Sequence, residues 1–158
     1  MKVIFSPSKE MNFSGEPLTN KSIGIDSSNK TDEIYSKLIT FSTEEISKKF
    51  KVKNEMLEEV LNDLMNFPLS QEKNAIEAYS GIAFRQLDME CYTKSHWDYI
   101  GKNLFILSAF YGITCGLSRI KKHRLDFSIK LFENESLYKF WSEYVNNFFS
   151  ENEIVINL

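Results

Sequence analysis

The fold is decided by the stretch Leu104-Phe105-Ile106-Leu107-Ser108-Ala109-Phe110-Tyr111-Gly112. Its first part, Leu104–Leu107, is a continuous apolar run too short for a helix, which predicts a strand buried on both faces of a helix-covered sheet. Ser108, Tyr111 and Gly112 follow at once, so polar groups emerge where the strand ends. Because ligands bind beyond the carboxyl ends of strands in open α/β sheets, we expect a binding site at this position.

Further patterns predict the remaining strands and the helices. Lys2–Phe5 and Ile154–Leu158 are short, mostly apolar strands, and Leu125–Leu131 alternates apolar and polar residues as a half-buried strand does. Helices are predicted where a capping residue precedes apolar residues at helical spacing, and these caps are Thr31, Ser42, Asn54, Thr93 and Ser136. The sequence therefore predicts an α/β fold, with α+β as the alternative, in which helices pack around a mixed sheet in a single domain.

Two segments carry loop signals, and one is ambiguous. Asn12–Lys30 is polar, is interrupted by glycine and proline, and contains the cluster Ser27-Ser28-Asn29. Ile113–Leu117 has a glycine before it and another within it, so we expect a second loop there. Ala75–Tyr79 fits either a helix or a strand.

Composition excludes several classes of protein. The chain has 158 residues, of which 42% are hydrophobic, enough for the core of one domain and too many for a disordered chain. A formal net charge of -3 means that any binding to nucleic acid must use a local patch. Two cysteines form no disulfide framework, and no run of about 18 apolar residues could span a membrane. We therefore expect a reduced, cytoplasmic setting without a membrane partner.

Cationic side chains that could hold an anion occur in two places near predicted strands. Ser6, Ser8 and Lys9 follow the first strand, where a lysine and two hydroxyls suit an anion and the alternative is a solvated loop. The densest basic run contains Lys121, Lys122 and Arg124, which could grip phosphate or could simply be a solvated face.

A third basic cluster surrounds the turn of a predicted helical hairpin, Ser42–Leu64. Lys49, Lys51 and Lys53 lie at this turn, where lysines together with backbone amides can hold a phosphate. The alternative is an ordinary helical hairpin with a solvated basic face, since the turn has no glycine that would let it approach DNA closely.

The strand ends suggest a second kind of site. If the strands that begin at Lys2, Leu104 and Ile154 are parallel neighbours, one sheet edge gathers several polar side chains, namely Ser6, Ser8, Lys9, Ser108, Tyr111 and Asn157. Lys9 would then bind the anion of a phosphorylated or nucleotide-like small molecule, and Tyr111 could transfer a proton. Neither a glycine-rich phosphate loop nor a Ser-His-Asp order supports an enzyme, so no catalytic residue is predicted.

Direct iron binding is a third possibility. His123 lies near Cys115 and Asp126 in the sequence, but their spacing does not indicate a preformed set of ligands. We therefore predict neither a metal site nor a cofactor.

Several motifs resemble the YaaA family of bacterial peroxide-stress proteins. The family's Ser-Pro-Ala-Lys, Leu-Ser-Gly-Leu-Tyr-Gly and Tyr-Arg-Leu-Glu correspond to Ser6–Lys9, Leu107–Gly112 and His123–Asp126. Its Leu-Tyr-x-Phe-Trp and Val-Ile-Asn-Leu correspond to Leu137–Trp141 and Val155–Leu158. The order and spacing of these motifs hold from Ser6 to the last residue.

This resemblance implies a cytosolic protein that protects cells during hydrogen peroxide stress and limits iron-dependent damage to DNA. It also implies a DNA-binding surface for duplex or branched DNA, with a positively charged cleft and a helix-hairpin-helix element, for which Ser42–Leu64 is the candidate. The family's Arg-Pro-Leu-Asp is replaced by Cys115–Ser118, and Gly81–Leu87 lacks an acid that the family carries. Family members also continue beyond the Val155–Leu158 motif, so we expect a single domain, 1–158, that is incomplete at its C-terminal end.

Overall fold

A four-stranded sheet forms the centre of the protein in the computed structural model, which describes residues 1–25, 28–151 and 153–158. The strands are Lys2–Phe5 (β1), Glu72–Asn74 (β2), Leu104–Ser108 (β3), Gly112–Cys115 (β4), Arg119–Lys121 (β5) and Val155–Asn157 (β6). The helices are Ser28–Leu38 (α1), Thr43–Phe50 (α2), Asn54–Asn66 (α3), Ala75–Ala78 (α4), Ile82–Arg85 (α5), Lys94–Asn103 (α6) and Leu137–Phe148 (α7).

The sheet is mixed, in the order β4-β3-β1-β6. Strand β1 runs parallel to both β3 and β6, with Phe5 opposite Ile106 and Val3 opposite Ile156. Strand β4 returns antiparallel to β3, and β2 and β5 form a separate antiparallel pair. The predicted α/β fold with a mixed sheet is confirmed, and so is the prediction that the strands at Lys2, Leu104 and Ile154 are parallel neighbours.

The core lies between β3 and the helices around it. Every residue of β3 is buried except Leu107, which is half-buried, as expected of a strand covered on both faces. The predicted apolar stripe of α7 buries Leu137, Phe140 and Trp141, and the Trp141 Nε1 donates to the carbonyl of Ala109 at 2.9 Å. Core packing of α7 therefore fixes the turn between β3 and β4.

A smaller apolar cluster holds the helical hairpin together. Ile46, Val52 and Val60 are buried between α2 and α3. The predicted capping box begins α2, because the Ser42 Oγ accepts from the Glu45 amide while the Ser42 amide donates to the Glu45 carboxylate at 2.8 Å. These contacts give the hairpin a defined shape next to the sheet.

Several predicted boundaries need correction. Thr31 does not cap α1 but lies buried within it, because this helix begins at Ser28, so the predicted loop is wrong from Ser28 onward. Ser27 lies outside the described residues. Lys53, not Asn54, is the N-cap of α3, and Asn54 occupies the first helical position with φ 50°. Thr93 and Ser136 do cap their helices as predicted.

Two larger corrections concern strands. The predicted loop Ile113–Leu117 is wrong, since most of it belongs to β4, which pairs with β3. The predicted strand Leu125–Leu131 is also wrong. Three of its alternate apolar residues are buried and Phe127 is half-buried, but the Asp126 carboxylate accepts from the Ser128 amide at 2.7 Å and turns the chain. In the ambiguous segment Ala75–Tyr79, the first four residues form helix α4, and Tyr79 follows as its C-cap with an extended backbone.

Strand β6 lies at one edge of the sheet, with no strand of the described residues on its outer side. Its three residues are exposed, and the flanking Ile154 and Leu158 are 68% and 64% exposed. No helix among the described residues combines the length and the apolar composition needed to cross a membrane.

Replacing Gly112 by Ala should destabilise the fold by about 2 kcal/mol or more, because two costs add at this residue. Gly112 has φ 71°, and an added Cβ would lie 2.6 Å from two carbons of the Trp141 ring. Urea unfolding at neutral pH measures the free energy of unfolding. Gly24→Ala is the matched control, since its added Cβ meets nothing within 4 Å. Equal effects of the two substitutions would show that the Gly112–Trp141 contact does not constrain the fold.

Candidate anion-binding cleft

A cleft of about 210 Å³ lies between the loop after β1, helix α3 and the segment that follows β5. The loop and the segment contribute most of its polar groups, and α3 contributes two carboxylates and an apolar wall. Its lining residues are Lys9, Glu10, Met11, Glu59, Val60, Asp63, Lys122, His123 and Arg124.

Strand order explains why these segments meet. Because β1 and β3 are parallel, the loops after their carboxyl ends leave the same edge of the sheet. Strand β5 alternates, with Ile120 fully buried, and the chain then carries Lys122 and Arg124 to the cleft. Three of the predicted anion-binding residues, Lys9, Lys122 and Arg124, therefore line one cleft.

Lys122 is held by two carboxylates of α3. Its Nζ lies 2.5 Å from Glu59 Oε1 and 3.2 Å from Asp63 Oδ2. The hydrogen bond from Lys122 lowers the pKa of Glu59, whereas burial raises the pKa of Asp63. Partial burial disfavours the charge of Lys122, but the two carboxylates outweigh it and raise the pKa of this ammonium. The charge of Lys122 is therefore neutralised by carboxylates of the protein itself.

Lys9 and Arg124 differ in how their charges are used. Lys9 Nζ lies 2.7 Å from Asp126 Oδ2, yet its side chain is 62% exposed. Burial opposes ionisation of Asp126, but hydrogen bonds from Lys9 and Ser128 outweigh it and lower the pKa of this carboxyl. Arg124 has no carboxylate within 4 Å among the described residues, so its guanidinium is the cation best placed to bind a ligand.

The charges that line the cleft balance. Lys9, Lys122 and Arg124 face the carboxylates of Glu10, Glu59 and Asp63. This cleft therefore differs from the positively charged cleft that the sequence resemblance implies. An anion would be held there by directed hydrogen bonds more than by a positive electrostatic potential of the cleft as a whole.

A buried hydrogen-bond chain reaches the cleft through His123. The Tyr79 hydroxyl lies 3.3 Å from His123 Nε2 and 3.1 Å from the Ser108 Oγ. The Ser108 Oγ also accepts from the amides of Phe110 and Tyr111 at 3.2 and 3.3 Å. Burial lowers the pKa of His123 to about 3, so the imidazole is neutral at physiological pH.

Ser108 and Tyr111 hold the fold together around this chain. Both are buried, and neither lines the cleft. The Tyr111 hydroxyl accepts from the Lys121 amide at 2.9 Å, and burial raises its pKa, which disfavours the phenolate. The assignment of Ser108 and Tyr111 as anion-binding residues stays a prediction.

The other strand-end residues lie away from the cleft lining. Ser6 is exposed, with its hydroxyl 3.5 Å from the carbonyl of Leu158, and Asn157 is exposed in β6. Ser8 Oγ accepts from the Glu10 amide at 3.0 Å, and Lys121 Nζ donates to the carbonyl of Pro68 at 2.7 Å. Parallel strands bring the segments of Ser6, Ser8 and Asn157 to one edge, but these side chains are not part of the cleft lining.

The hairpin lysines divide into one that is held and two that are exposed. Lys49 Nζ donates to the carbonyl of Lys130 at 2.9 Å and lies 4.6 Å from the centre of the Phe41 ring. Lys51 and Lys53 are exposed, and Lys51 closes α2 with φ 55°. Helix α3 connects this turn to the cleft, since Glu59 lies about 9 Å along the helix axis from Lys53.

Sequence reasoning missed the acidic and aromatic parts of this site. Glu59 and Asp63 are four residues apart, which places both on one face of α3, and this spacing was an available signal. Tyr79 gave no signal, because its partners are distant in sequence. Within the described part of the chain, no three His, Cys, Asp or Glu side chains come together as metal ligands.

The whole chain, residues 1–158, matches the model of a family described as peroxide stress protein YaaA. Similar curated proteins include a UPF0246 protein of Fusobacterium nucleatum, which is 34% identical over 100% of this chain and 66% of its own length. UPF0246 proteins of Finegoldia magna and Malacoplasma penetrans are 32% and 30% identical, over 98% and 100% of this chain and 62% and 66% of their own lengths. The chain therefore spans slightly less than two thirds of the length of these relatives.

Replacing His123 by Gln should flatten the dependence of stability on pH below neutrality. The unfolded chain protonates this histidine near pH 6.5, while the folded protein keeps it neutral down to about pH 3. The neutral His123 therefore contributes to the free energy of unfolding at pH 7, and this contribution is lost as the pH falls. Between pH 7 and pH 5 the loss is about 2 kcal/mol. Urea unfolding of both proteins at the two pH values measures this difference. Equal losses in wild type and His123→Gln would contradict the buried neutral histidine.

Proposed function

Because the chain belongs to the family of peroxide stress protein YaaA, which confirms the resemblance seen in its motifs, we propose that it protects bacterial cells during hydrogen peroxide stress. We place this action in the cytoplasm, on duplex or branched DNA, where bound protein limits iron-dependent oxidative damage. The protein acts in this proposal as a binding protein and needs no catalytic residue.

The observation that carries DNA binding is the arrangement of cations along α3. Lys51 and Lys53 are exposed at one end of this helix, while Arg124 and Lys9 line the cleft farther along it. Glu59, which borders the same cleft, lies about 9 Å along the helix axis from Lys53, and this distance matches roughly three nucleotides of one strand at about 3.4 Å each. One strand of nucleic acid could therefore contact both places.

Each cation has a distinct part in this proposal. Arg124 donates two hydrogen bonds from its guanidinium to one phosphate. Lys9 leaves its ion pair with Asp126 and contacts a second phosphate. Lys51 and Lys53 flank the first turn of α3, whose amides favour a negative group. Lys122 contributes little, because Glu59 and Asp63 already neutralise it.

The double substitution Arg124→Ala and Lys9→Ala should weaken DNA binding for all sequences alike, because phosphate contacts do not read bases. Loss of two contacts should reduce the slope of log K against log salt concentration by about 2. Fluorescence anisotropy with a labelled duplex and a labelled branched DNA, each at several salt concentrations, measures both quantities.

A control accompanies this test. Lys139→Ala removes an exposed charge from α7, so it should bind nearly as wild type does. Binding that is insensitive to salt, or an effect of Lys139→Ala as large as that of the double substitution, would refute the proposed contacts.

The size and charge balance of the cleft favour a second candidate, a small phosphorylated or nucleotide-like ligand. A volume of about 210 Å³ with balanced lining charges suits one small molecule better than a long polyanion. Nucleotides and sugar phosphates should then raise the melting temperature of wild-type protein, and should raise it less in Arg124→Ala. A screen without any such shift would remove this candidate and leave DNA binding as it stands.

A further inference from the structure

An ion pair joins two of the segments that form the cleft. Lys9, in the loop after β1, has its Nζ 2.7 Å from Oδ2 of Asp126, which lies two residues beyond Arg124 in the segment after β5. Lys9 and Arg124 line the cleft, whereas Asp126 is not among its lining residues. The pair therefore directs the charge of Lys9 toward a carboxylate outside the cleft lining.

The carboxylate of this pair is held in place, and the ammonium is not. Asp126 Oδ1 accepts from the amide of Ser128 at 2.7 Å and also from its hydroxyl, and the Asp126 side chain is 24% exposed. The Lys9 side chain is 62% exposed, and its Nζ makes no other ion pair among the described residues. When the pair breaks, Lys9 is therefore the partner that moves, and Asp126 keeps its position.

Asp126 keeps its negative charge near neutral pH. Burial opposes the ionisation of this carboxyl, but hydrogen bonds from Lys9 and Ser128 outweigh burial and lower its pKa. A fixed carboxylate offers the Lys9 ammonium the same kind of charge-assisted hydrogen bond that a phosphate oxygen offers. Asp126 and an anionic ligand are therefore alternative partners for one cation.

We infer that Asp126 is an internal competitor for the anion that binds in the cleft, and that its ion pair with Lys9 is an autoinhibitory contact. An incoming phosphate must break this pair before Lys9 donates to it, and the released carboxylate then repels the phosphate. Arg124 carries no such restraint, because no carboxylate lies within 4 Å of it among the described residues. The inference rests on the proposed function, in which Lys9 contacts a phosphate, and it names the residue that limits the affinity of that contact.

The substitution Asp126→Asn tests the inference, because it removes the competing charge and leaves an oxygen that accepts from the Ser128 amide. Affinity for a labelled DNA duplex is measured by fluorescence anisotropy at one salt concentration. The affinity of Asp126→Asn should exceed that of wild type by about threefold, as expected when one partly exposed ion pair no longer has to break. Urea unfolding at neutral pH establishes that the variant is folded.

Asp98→Asn is the matched control for the change in net charge. Asp98 is also paired with a single lysine, Lys21, and neither residue lines the cleft. Since salt screens an exposed charge outside the site, this variant should bind within about 1.5-fold of wild type. Equal affinities of Asp126→Asn and Asp98→Asn would overturn the inference.

A double-mutant cycle with Lys9 separates competition for this lysine from repulsion by Asp126 alone. In the Lys9→Ala background there is no pair to break, so only the repulsion remains to be relieved. Asp126→Asn should therefore raise the affinity for DNA by a factor about threefold smaller in this background than in the wild-type background. Equal gains in the two backgrounds would contradict an action of Asp126 through Lys9.

The ion pair itself is tested without DNA by NMR of the Asp126 carboxyl carbon. At about pH 4, the protonated fraction of Asp126 should be smaller in wild type than in Lys9→Ala, because the ammonium favours the carboxylate. The same protonated fraction in both proteins would show that Asp126 does not hold Lys9, and the inference would fall.

Inorganic pyrophosphate, titrated by calorimetry, is a second probe that separates this inference from DNA binding. Tighter binding of pyrophosphate by Asp126→Asn than by wild type, with a smaller gain in the Lys9→Ala background, would support the inference even if none of the proteins binds DNA and the proposed DNA function fails. DNA binding by wild type without a gain in Asp126→Asn would overturn the inference and leave the proposed function intact. Binding of neither probe by any of these proteins would overturn both.

Discussion

The parallel pairing of β1 with β3 is the constraint on which the rest of the site depends. With Phe5 opposite Ile106, the loop that carries Lys9 and the turn that begins at Ser108 leave the sheet at the same edge. Ser108 then orients Tyr79, and Tyr79 orients His123 at the wall of the cleft. A shift of one residue in this register would reverse the faces of the strand and separate these groups.

The ability of the cleft to attract an anion depends more on which of its cations are paired with carboxylates than on its net charge. Exposed ion pairs contribute about 0 to 1 kcal/mol, so the contact between Lys9 and Asp126 can be exchanged for a ligand at little cost. Lys122 is less exposed and has two carboxylate partners, which makes it part of the wall. Arg124 remains available, and for this reason the density of basic residues in the sequence overstates the cationic character of the site.

Local signals in the sequence predicted those parts of the fold that short-range physics determines. The Ser42 capping box, the α7 stripe and the apolar run at Leu104 depend on neighbouring residues, and they hold in the structure. Strand β4 was missed because its start at Gly112 is specified by contact with Trp141, which is distant in sequence. The site also combines local signals with tertiary contacts. Lys9 and Arg124 were recognisable in the sequence as charged residues, whereas the role of Tyr79 as a hydrogen-bond partner of His123 arises only from tertiary contacts.

Strand β6 has a consequence for handling the protein. The backbone amides and carbonyls on its outer side have no neighbouring strand in the described part of the chain, and water must solvate them beside the apolar Ile154 and Leu158 side chains. Such a border is a template on which another copy can add its own strand, so it is where self-association in concentrated solution would begin. A lysine in place of Val155, on this solvent-facing strand, is the simplest change for keeping concentrated samples monodisperse.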